Sequence, residues 1–114
     1  MYEYKKINNF EYRFNESNRI LNKYKDKYPL IVEKSKDCIY DIQKNKYLVP
    51  KDIKIHQLQF IIRKRLDIKK SEALFIYINN TIPPSNSLIS EIYDNLKDED
   101  GFLYITYSSE NTFG

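Results

Sequence analysis

The chain has 114 residues, of which 41% are hydrophobic and 31% are charged, and its net charge is +3. This composition is typical of one folded domain rather than a disordered chain. The single cysteine and single histidine exclude an internal disulfide and the usual zinc sites. No apolar run approaches the roughly 20 residues that span a bilayer. The first six residues lack the apolar core of a signal peptide, so a cytoplasmic protein is expected.

Charge is divided unevenly along the chain. Residues 1–70 carry 18 Lys and Arg against 9 Asp and Glu, a net charge of +9, whereas residues 71–114 carry 1 Lys against 7 Asp and Glu, a net charge of −6. A basic half favours an acidic partner, a nucleic acid or an anionic membrane surface. Because residues 51–70 contain few aromatics and no RNA- or DNA-reading motif, a specific nucleic-acid partner is not expected.

Catalytic chemistry has little support in the sequence. Cys38 and His56 could in principle act as a nucleophile and a base, but no local motif surrounds either residue. Each of them is more often a structural residue. The sequence therefore offers no catalytic set and no metal site, and no cofactor is expected.

The first predicted element is a helix. Asn8 is its expected cap, with Glu11 at the third helical position. Residues at spacings of four and three define one face, which is predicted to be buried: Phe10, Phe14, Ser17, Leu21 and Tyr24. Ile20 is expected toward the edge of that face.

Two strands are predicted next. In residues 28–33, Leu30 and Val32 share one face and Ile31 points to the other. Residues 35–45 show no clear period and are predicted to be a loop. Residues 46–50 form a short apolar run that stops at Pro50. Because proline cannot donate to a ladder, this strand is predicted at a sheet edge, where another chain could dock.

The second half of the chain predicts two helices and two strands. A helix after Pro50 should turn four residues toward the sheet: Ile55, Leu58, Ile62 and Leu66. Residues 74–79 are apolar on both faces, which favours a central strand. Ser87 is predicted to cap a short helix with an inward face of Leu88, Ile92 and Leu96. Residues 102–107 are predicted to form the last strand, and residues 108–114 a flexible tail without strand.

The order helix, strand, strand, helix, strand, short helix, strand predicts the α+β class, and it is the order of the ubiquitin-like β-grasp. The predicted division is a helical extension over residues 1–26, a β-grasp core over residues 27–107 and a C-terminal tail over residues 108–114. No internal repeat, low-complexity tract or linker is present.

Several segments, in one order and register, resemble a known family. They are residues 29–34 (PLIVEK), 46–50 (KYLVP), 62–65 (IRKR), 79–84 (NNTIPP), 97–107 (KDEDGFLYITY) and 110–114 (ENTFG). On these segments the chain is similar to the autophagy ubiquitin-like modifiers, which include the microtubule-associated-protein light chains and the GABA-receptor-associated protein. The resemblance implies a ubiquitin-like β-grasp with two N-terminal helices and no enzymatic activity.

The resemblance also implies a covalent cycle that involves Gly114. The carboxyl group of Gly114 would be activated by a ubiquitin-activating-like enzyme, passed to a conjugating-like enzyme and joined to phosphatidylethanolamine. A cysteine protease would process the precursor and remove the lipid. The protein would then be cytoplasmic or, when lipidated, anchored to the autophagosome membrane, where it would recruit cargo receptors and adaptors.

Peptides with the motif aromatic-x-x-aliphatic are the implied ligands, and the resemblance places two pockets for them at the predicted edge strand. The aromatic pocket would comprise Glu16, Ile20, Pro29, Ile31, Lys46, Leu48 and Phe102. The aliphatic pocket would comprise Tyr47, Val49, Pro50, Ile53, Leu58 and Ile61. Lys44, Lys46 and Arg65 would favour acidic residues beside the motif. A β-grasp adaptor that binds such peptides and is never conjugated is the alternative.

Overall fold

The computed structural model describes residues 1–109. Its elements are α1 (Glu3–Ile7), α2 (Phe10–Lys23), β1 (Lys27–Lys34), β2 (Lys46–Pro50), α3 (Ile55–Lys64), β3 (Leu74–Tyr77), α4 (Ile89–Leu96) and β4 (Leu103–Ser109). This confirms the predicted α+β class and the predicted order of elements. It also confirms the two N-terminal helices that the resemblance implied.

The four strands form one mixed sheet in the order β2-β1-β4-β3. β1 runs antiparallel to β2 and parallel to β4, and β3 runs antiparallel to β4. The predicted edge position of β2 is therefore confirmed. The central position predicted for residues 74–79 is wrong, because β3 is the other edge strand. Leu74 and Ile76 are buried beneath α3, whereas Phe75 on the opposite face is 36% exposed.

Helices cover both faces of the sheet. Leu30 and Val32 of β1 belong to the larger core cluster, together with the predicted inward face of α3. α4 contributes to the same cluster. Ile31 points to the opposite face, as predicted, and packs in a second cluster with Ile20 of α2 and Tyr4 of α1. The sheet is thus packed between α3 and α4 on one side and α1 and α2 on the other.

The buried face of α2 differs from the prediction. The cap is Asn9 rather than Asn8, and its side-chain oxygen accepts a bond from the Tyr12 N–H at 2.8 Å. Phe10 and Phe14 are 47% and 45% exposed, and the buried residues of the helix are Arg13, Ser17 and Ile20. Arg13 and Ser17 are buried because both form hydrogen bonds with Asp100. The apolar periodicity of the sequence gives no sign of such polar contacts.

Two further boundaries differ from the prediction. The N-cap of α4 is Leu88 rather than Ser87, so the inward residues are Ile89, Ile92 and Tyr93, and Leu96 is exposed. β4 continues beyond residue 107, because Ser108 and Ser109 pair with β3. The tail predicted to be without strand was therefore wrong for these two residues. Residues 110–114 lie outside the described part of the chain.

Candidate docking site at the edge of the sheet

The backbone of β2 offers free hydrogen-bonding groups along its outer side. The Val32 N–H donates to the Asn45 carbonyl at 2.7 Å, and the Lys51 N–H donates to the Asp26 carbonyl at 3.1 Å. In the antiparallel register of β1 and β2, these two bonds show which residues of β2 form hydrogen bonds with β1. Residues 45, 47, 49 and 51 turn their backbone groups toward β1, because bonded pairs alternate along an antiparallel ladder. Lys46 and Leu48 therefore turn theirs away from the sheet.

Pro50 ends this free edge. It has no N–H, and its carbonyl accepts a bond from the Ile53 N–H at 3.5 Å. No turn or side-chain hydrogen bond within residues 1–109 uses the backbone of Lys46 or Leu48. The edge thus presents two donors and two acceptors, which suits the addition of one short extended segment.

The side chains of β2 alternate between the two faces of the sheet. Tyr47 and Val49 are buried on the α3 side, whereas Lys46 is half-buried and Leu48 is 36% exposed. An added strand would also send its side chains alternately to these two faces. Two binding regions on opposite sides of the edge are therefore geometrically possible.

The residues proposed for the aromatic pocket come together on the α2 side. α2 supplies Glu16 and Ile20, β1 supplies Pro29 and Ile31, β2 supplies Lys46 and Leu48, and Phe102 directly precedes β4. Across the ladder, Pro29 lies opposite Leu48 and Ile31 lies opposite Lys46. Ile20, Ile31 and Phe102 pack in one cluster and form the floor of this region.

An ion pair joins α2 to β2 beside that floor. Lys46 Nζ lies 3.2 Å from Glu16 Oε1, and Arg19 Nη2 lies 2.6 Å from the same oxygen. Hydrogen bonding to Arg19 and then to Lys46 outweighs burial and lowers the pKa of the Glu16 carboxyl to about 2. Glu16 is therefore ionised at neutral pH.

The residues proposed for the aliphatic pocket divide into a floor and a rim on the α3 side. Tyr47, Val49 and Leu58 are buried members of the larger core cluster. The rim consists of half-buried residues: Pro50, Ile53 and Ile61. Ile53 packs against the core, and Ile61 lies one turn after Leu58 on α3. The floor is thus fixed by folding, and the rim is open to contact.

Basic side chains flank the edge. Lys44 Nζ lies 5.8 Å from the centroid of the Tyr47 ring, and Lys46 Nζ lies 5.6 Å from that of Tyr4. Arg65 is the exposed C-cap of α3. Burial raises the pKa of the Tyr47 hydroxyl, and the charge of Arg65 opposes that shift. Lys44 and Lys46 therefore border the β2 edge, and Arg65 lies at the end of α3.

Tyr4 was missed by the sequence analysis. It lies on α1, and its ring meets Phe102 edge-on with the centroids 5.3 Å apart. It belongs to the cluster that contains Ile20 and Ile31. The first eight residues carry no periodic signal, so only the fold reveals this contact.

Other kinds of site find no support within residues 1–109. No group of three or more metal-ligating side chains is found there. Cys38 is buried. His56 lies exposed on α3, and its backbone N–H donates to the Ser85 carbonyl. None of the described helices is long and apolar enough to cross a membrane. Gly114, the proposed conjugation residue, lies outside the described part of the chain.

A mixed four-stranded sheet with a helix across one face and a free edge strand defines a ubiquitin-like protein. The family described as "Autophagy protein Atg8 ubiquitin like" matches residues 12–114. The chain belongs to this Atg8 family. The ubiquitin-like fold predicted from the order of elements is thereby confirmed.

Curated relatives and solved structures agree with this assignment. Autophagy-related protein 8e of Arabidopsis thaliana is 50% identical over 112 residues, which cover 97% of this chain and 92% of the relative. Autophagy-related protein 8B of Oryza sativa subsp. indica is 52% identical over 105 residues, covering 91% and 88%. The crystal structure of Trypanosoma brucei ATG8 has a TM-score of 0.94 at 37% identity and covers 100% of this chain and 99% of that one. Plasmodium falciparum Atg8 in complex with a Plasmodium falciparum Atg3 peptide has a TM-score of 0.85 at 28% identity, covering 96% and 99%.

Proposed function

We propose that this protein is a ubiquitin-like modifier rather than an enzyme, and that Gly114 is conjugated to phosphatidylethanolamine on autophagosomal membranes. Membership of the Atg8 family supports this proposal, because the match extends through Gly114. The lipid is then a covalent modification and no other cofactor is needed. The protein is cytoplasmic before conjugation and membrane-anchored after it.

The second half of the proposal is that the β2 edge binds peptides of cargo receptors and adaptors with the motif aromatic-x-x-aliphatic. The free backbone groups of Lys46 and Leu48 are the observation that carries it. Residues three apart in a strand point to opposite faces. The aromatic anchor therefore meets the Ile20, Ile31 and Phe102 floor, and the aliphatic anchor meets the Pro50, Ile53 and Ile61 rim.

Affinity in the micromolar range follows from this geometry. Burying each anchor contributes about 1.5–3 kcal/mol, and each backbone hydrogen bond contributes about 0.5–1.5 kcal/mol. Ordering a free peptide offsets much of this gain, which leaves a dissociation constant on the order of micromolar. Lys44, Lys46 and Arg65 add about 0–1 kcal/mol for each exposed pair with an acidic flank.

The same edge is proposed to meet the conjugation machinery. The Plasmodium falciparum relative was solved with an Atg3 peptide bound. By analogy, a conjugating-like enzyme would present a peptide segment to this protein. An activating-like enzyme would precede it, and a cysteine protease would process the precursor and release the lipid. A specific nucleic-acid partner is not proposed.

Lipid conjugation is tested by reconstitution with the activating-like and conjugating-like enzymes, ATP and vesicles that contain phosphatidylethanolamine. The wild-type chain should shift in gel mobility, and Gly114→Ala should not, because an added Cβ obstructs a channel built for glycine. Gly101→Ala is not a suitable control, since it strains a turn at φ +93°; Ser109→Ala is. Conjugation of Gly114→Ala at the wild-type yield would refute the role of Gly114. A wild-type chain that fails to shift would refute conjugation and leave the non-conjugated adaptor as the explanation.

A further inference from the structure

One carboxylate and two cations form a cluster where α2 meets β2. Arg19 holds Glu16 with two hydrogen bonds, because its Nη2 donates to Oε1 at 2.6 Å and its Nε donates to Oε2 at 3.2 Å. Lys46 Nζ donates to Oε1 at 3.2 Å. One oxygen of Glu16 is therefore shared by both cations, and Arg19 makes the shorter contact to it.

The three side chains of this cluster differ in burial. The side chain of Glu16 is 17% exposed, that of Lys46 is 30% exposed and that of Arg19 is 58% exposed. A carboxylate that has lost most of its hydration needs a cation or donors to offset that loss. Arg19 supplies both, since its guanidinium binds the two oxygens of Glu16 at once. Hydrogen bonding from Arg19 is also the largest cause that lowers the pKa of Glu16 to about 2.

Lys46 is placed where it can serve a second acceptor. It lies on the edge strand β2, and its backbone groups point away from the sheet. Within residues 1–109 its ammonium group donates to Glu16 alone, although an ammonium has three N–H donors. The other donors are available to a carboxylate in a segment that is added at this edge.

We propose that Arg19 is a positioning residue for peptide binding: it neutralises Glu16 and thereby leaves Lys46 free to pair with an acidic residue beside the guest's motif. This inference rests on the proposed peptide docking. Without Arg19, Glu16 would depend on Lys46 for its charge balance and would hold it more tightly, because an unpaired charge in a partly buried site is costly. Arg19 thus favours acidic flanks without touching the peptide.

The positive charge of Arg19 could instead attract an acidic flank directly through space. The two explanations differ in how they depend on Glu16. An effect that passes through the ion pairs disappears once residue 16 carries no charge, whereas an effect of the electrostatic field persists. A double-mutant cycle between Arg19 and Glu16 therefore separates them.

The test uses two peptides with the same aromatic and aliphatic anchors, one with acidic and one with neutral flanking residues. Isothermal titration gives the ratio of their two dissociation constants, the acidic preference, for each variant. In Arg19→Gln the acidic preference should fall by about two- to fivefold, the range of one exposed ion pair. Adding Arg19→Gln to Glu16→Gln should leave the acidic preference of Glu16→Gln unchanged.

Lys23→Gln is the matched control for the loss of one positive charge on α2. Lys23 lies one turn beyond Arg19, and its Nζ lies 5.4 Å from the centroid of the Tyr24 ring. Its replacement should keep the wild-type acidic preference. Damage to α2 itself would weaken both peptides together and leave the ratio unchanged, so the ratio reports on the flanking residues.

Each outcome decides the inference. It is overturned if the wild type binds both peptides equally, if folded Arg19→Gln keeps the wild-type preference, or if Lys23→Gln lowers the preference as much as Arg19→Gln does. A fall that persists in the double variant also overturns it, since the field of Arg19 would then be the cause. If neither peptide binds the wild type, the proposed docking function fails together with this inference.

Discussion

Asp100 joins α2 to the start of β4 through a buried polar network. Its Oδ2 accepts from Arg13 Nε at 2.9 Å and from the Tyr104 hydroxyl at 2.5 Å, and its Oδ1 accepts from the Phe102 N–H at 2.9 Å. The backbone carbonyl of Asp100 also accepts from the Ser17 hydroxyl. The network therefore fixes Phe102, the floor of the aromatic pocket, relative to α2.

Asp100→Asn should destabilise the protein strongly. The substitution removes the negative partner of Arg13, which is itself buried. Breaking a buried ion pair on one side costs about 3–5 kcal/mol, because the remaining charge is left without a partner. The free energy of unfolding, measured by chemical denaturation, should fall by that amount.

Asp41→Asn is the matched control for this prediction. Asp41 lies outside the Asp100 network and pairs with Lys34 at 2.5 Å, but the side chains of that pair are 81% and 42% exposed. Its loss should cost only about 0–1 kcal/mol. Equal effects of the two substitutions would show that the Asp100 network does not hold α2 in place.

The role of β2 in peptide binding can be tested through its backbone alone. The outward N–H of Leu48 makes no bond within the sheet, so proline at this position removes a donor that only a guest strand would use. Leu48→Ala removes the side chain and keeps that donor. A comparison of the two variants therefore isolates the backbone contribution to peptide binding.

Leu48→Pro should bind the peptide about 2- to 12-fold more weakly than Leu48→Ala, since one backbone hydrogen bond contributes about 0.5–1.5 kcal/mol. Titration calorimetry gives the affinities, and circular dichroism verifies that both variants are folded. Phe75→Ala, on β3 at the other edge, removes a side chain that is as exposed as Leu48, at 36%, and should bind like the wild type. Identical affinities for folded Leu48→Pro and Leu48→Ala would contradict strand addition at β2.

Some features of the fold could be predicted from the sequence, and others could not. The apolar period of α3 predicted its buried face because a hydrophobic core covers it. The face of α2 was mispredicted because its buried contacts are polar and its partner, Asp100, lies 87 residues from Arg13. The position of β3 was mispredicted because local hydrophobicity does not encode strand order. The proposed pocket residues came from family resemblance, and only the fold brings Tyr4 to them.

The uneven charge of the molecule should also affect its affinity for charged peptides. The β2 edge lies in the half that carries a net charge of +9, and Lys44 and Lys46 border it. Peptides with acidic flanks should therefore bind more weakly as salt increases, whereas peptides with neutral flanks should change little. Raising the ionic strength from 0.1 M to 1 M shortens the Debye length from about 10 Å to about 3 Å.

Local contacts and the overall field can be separated with two variants of equal net charge. Lys44→Gln removes a cation beside Tyr47, and Lys36→Gln removes one from the same loop, next to the end of β1. Fluorescence anisotropy at several salt concentrations should show weaker binding of the acidic peptide, by up to about fivefold, and a shallower salt dependence for Lys44→Gln only. If both variants lost the same affinity, the flanking acids would be attracted by the net charge of the molecule and not by residues at the edge.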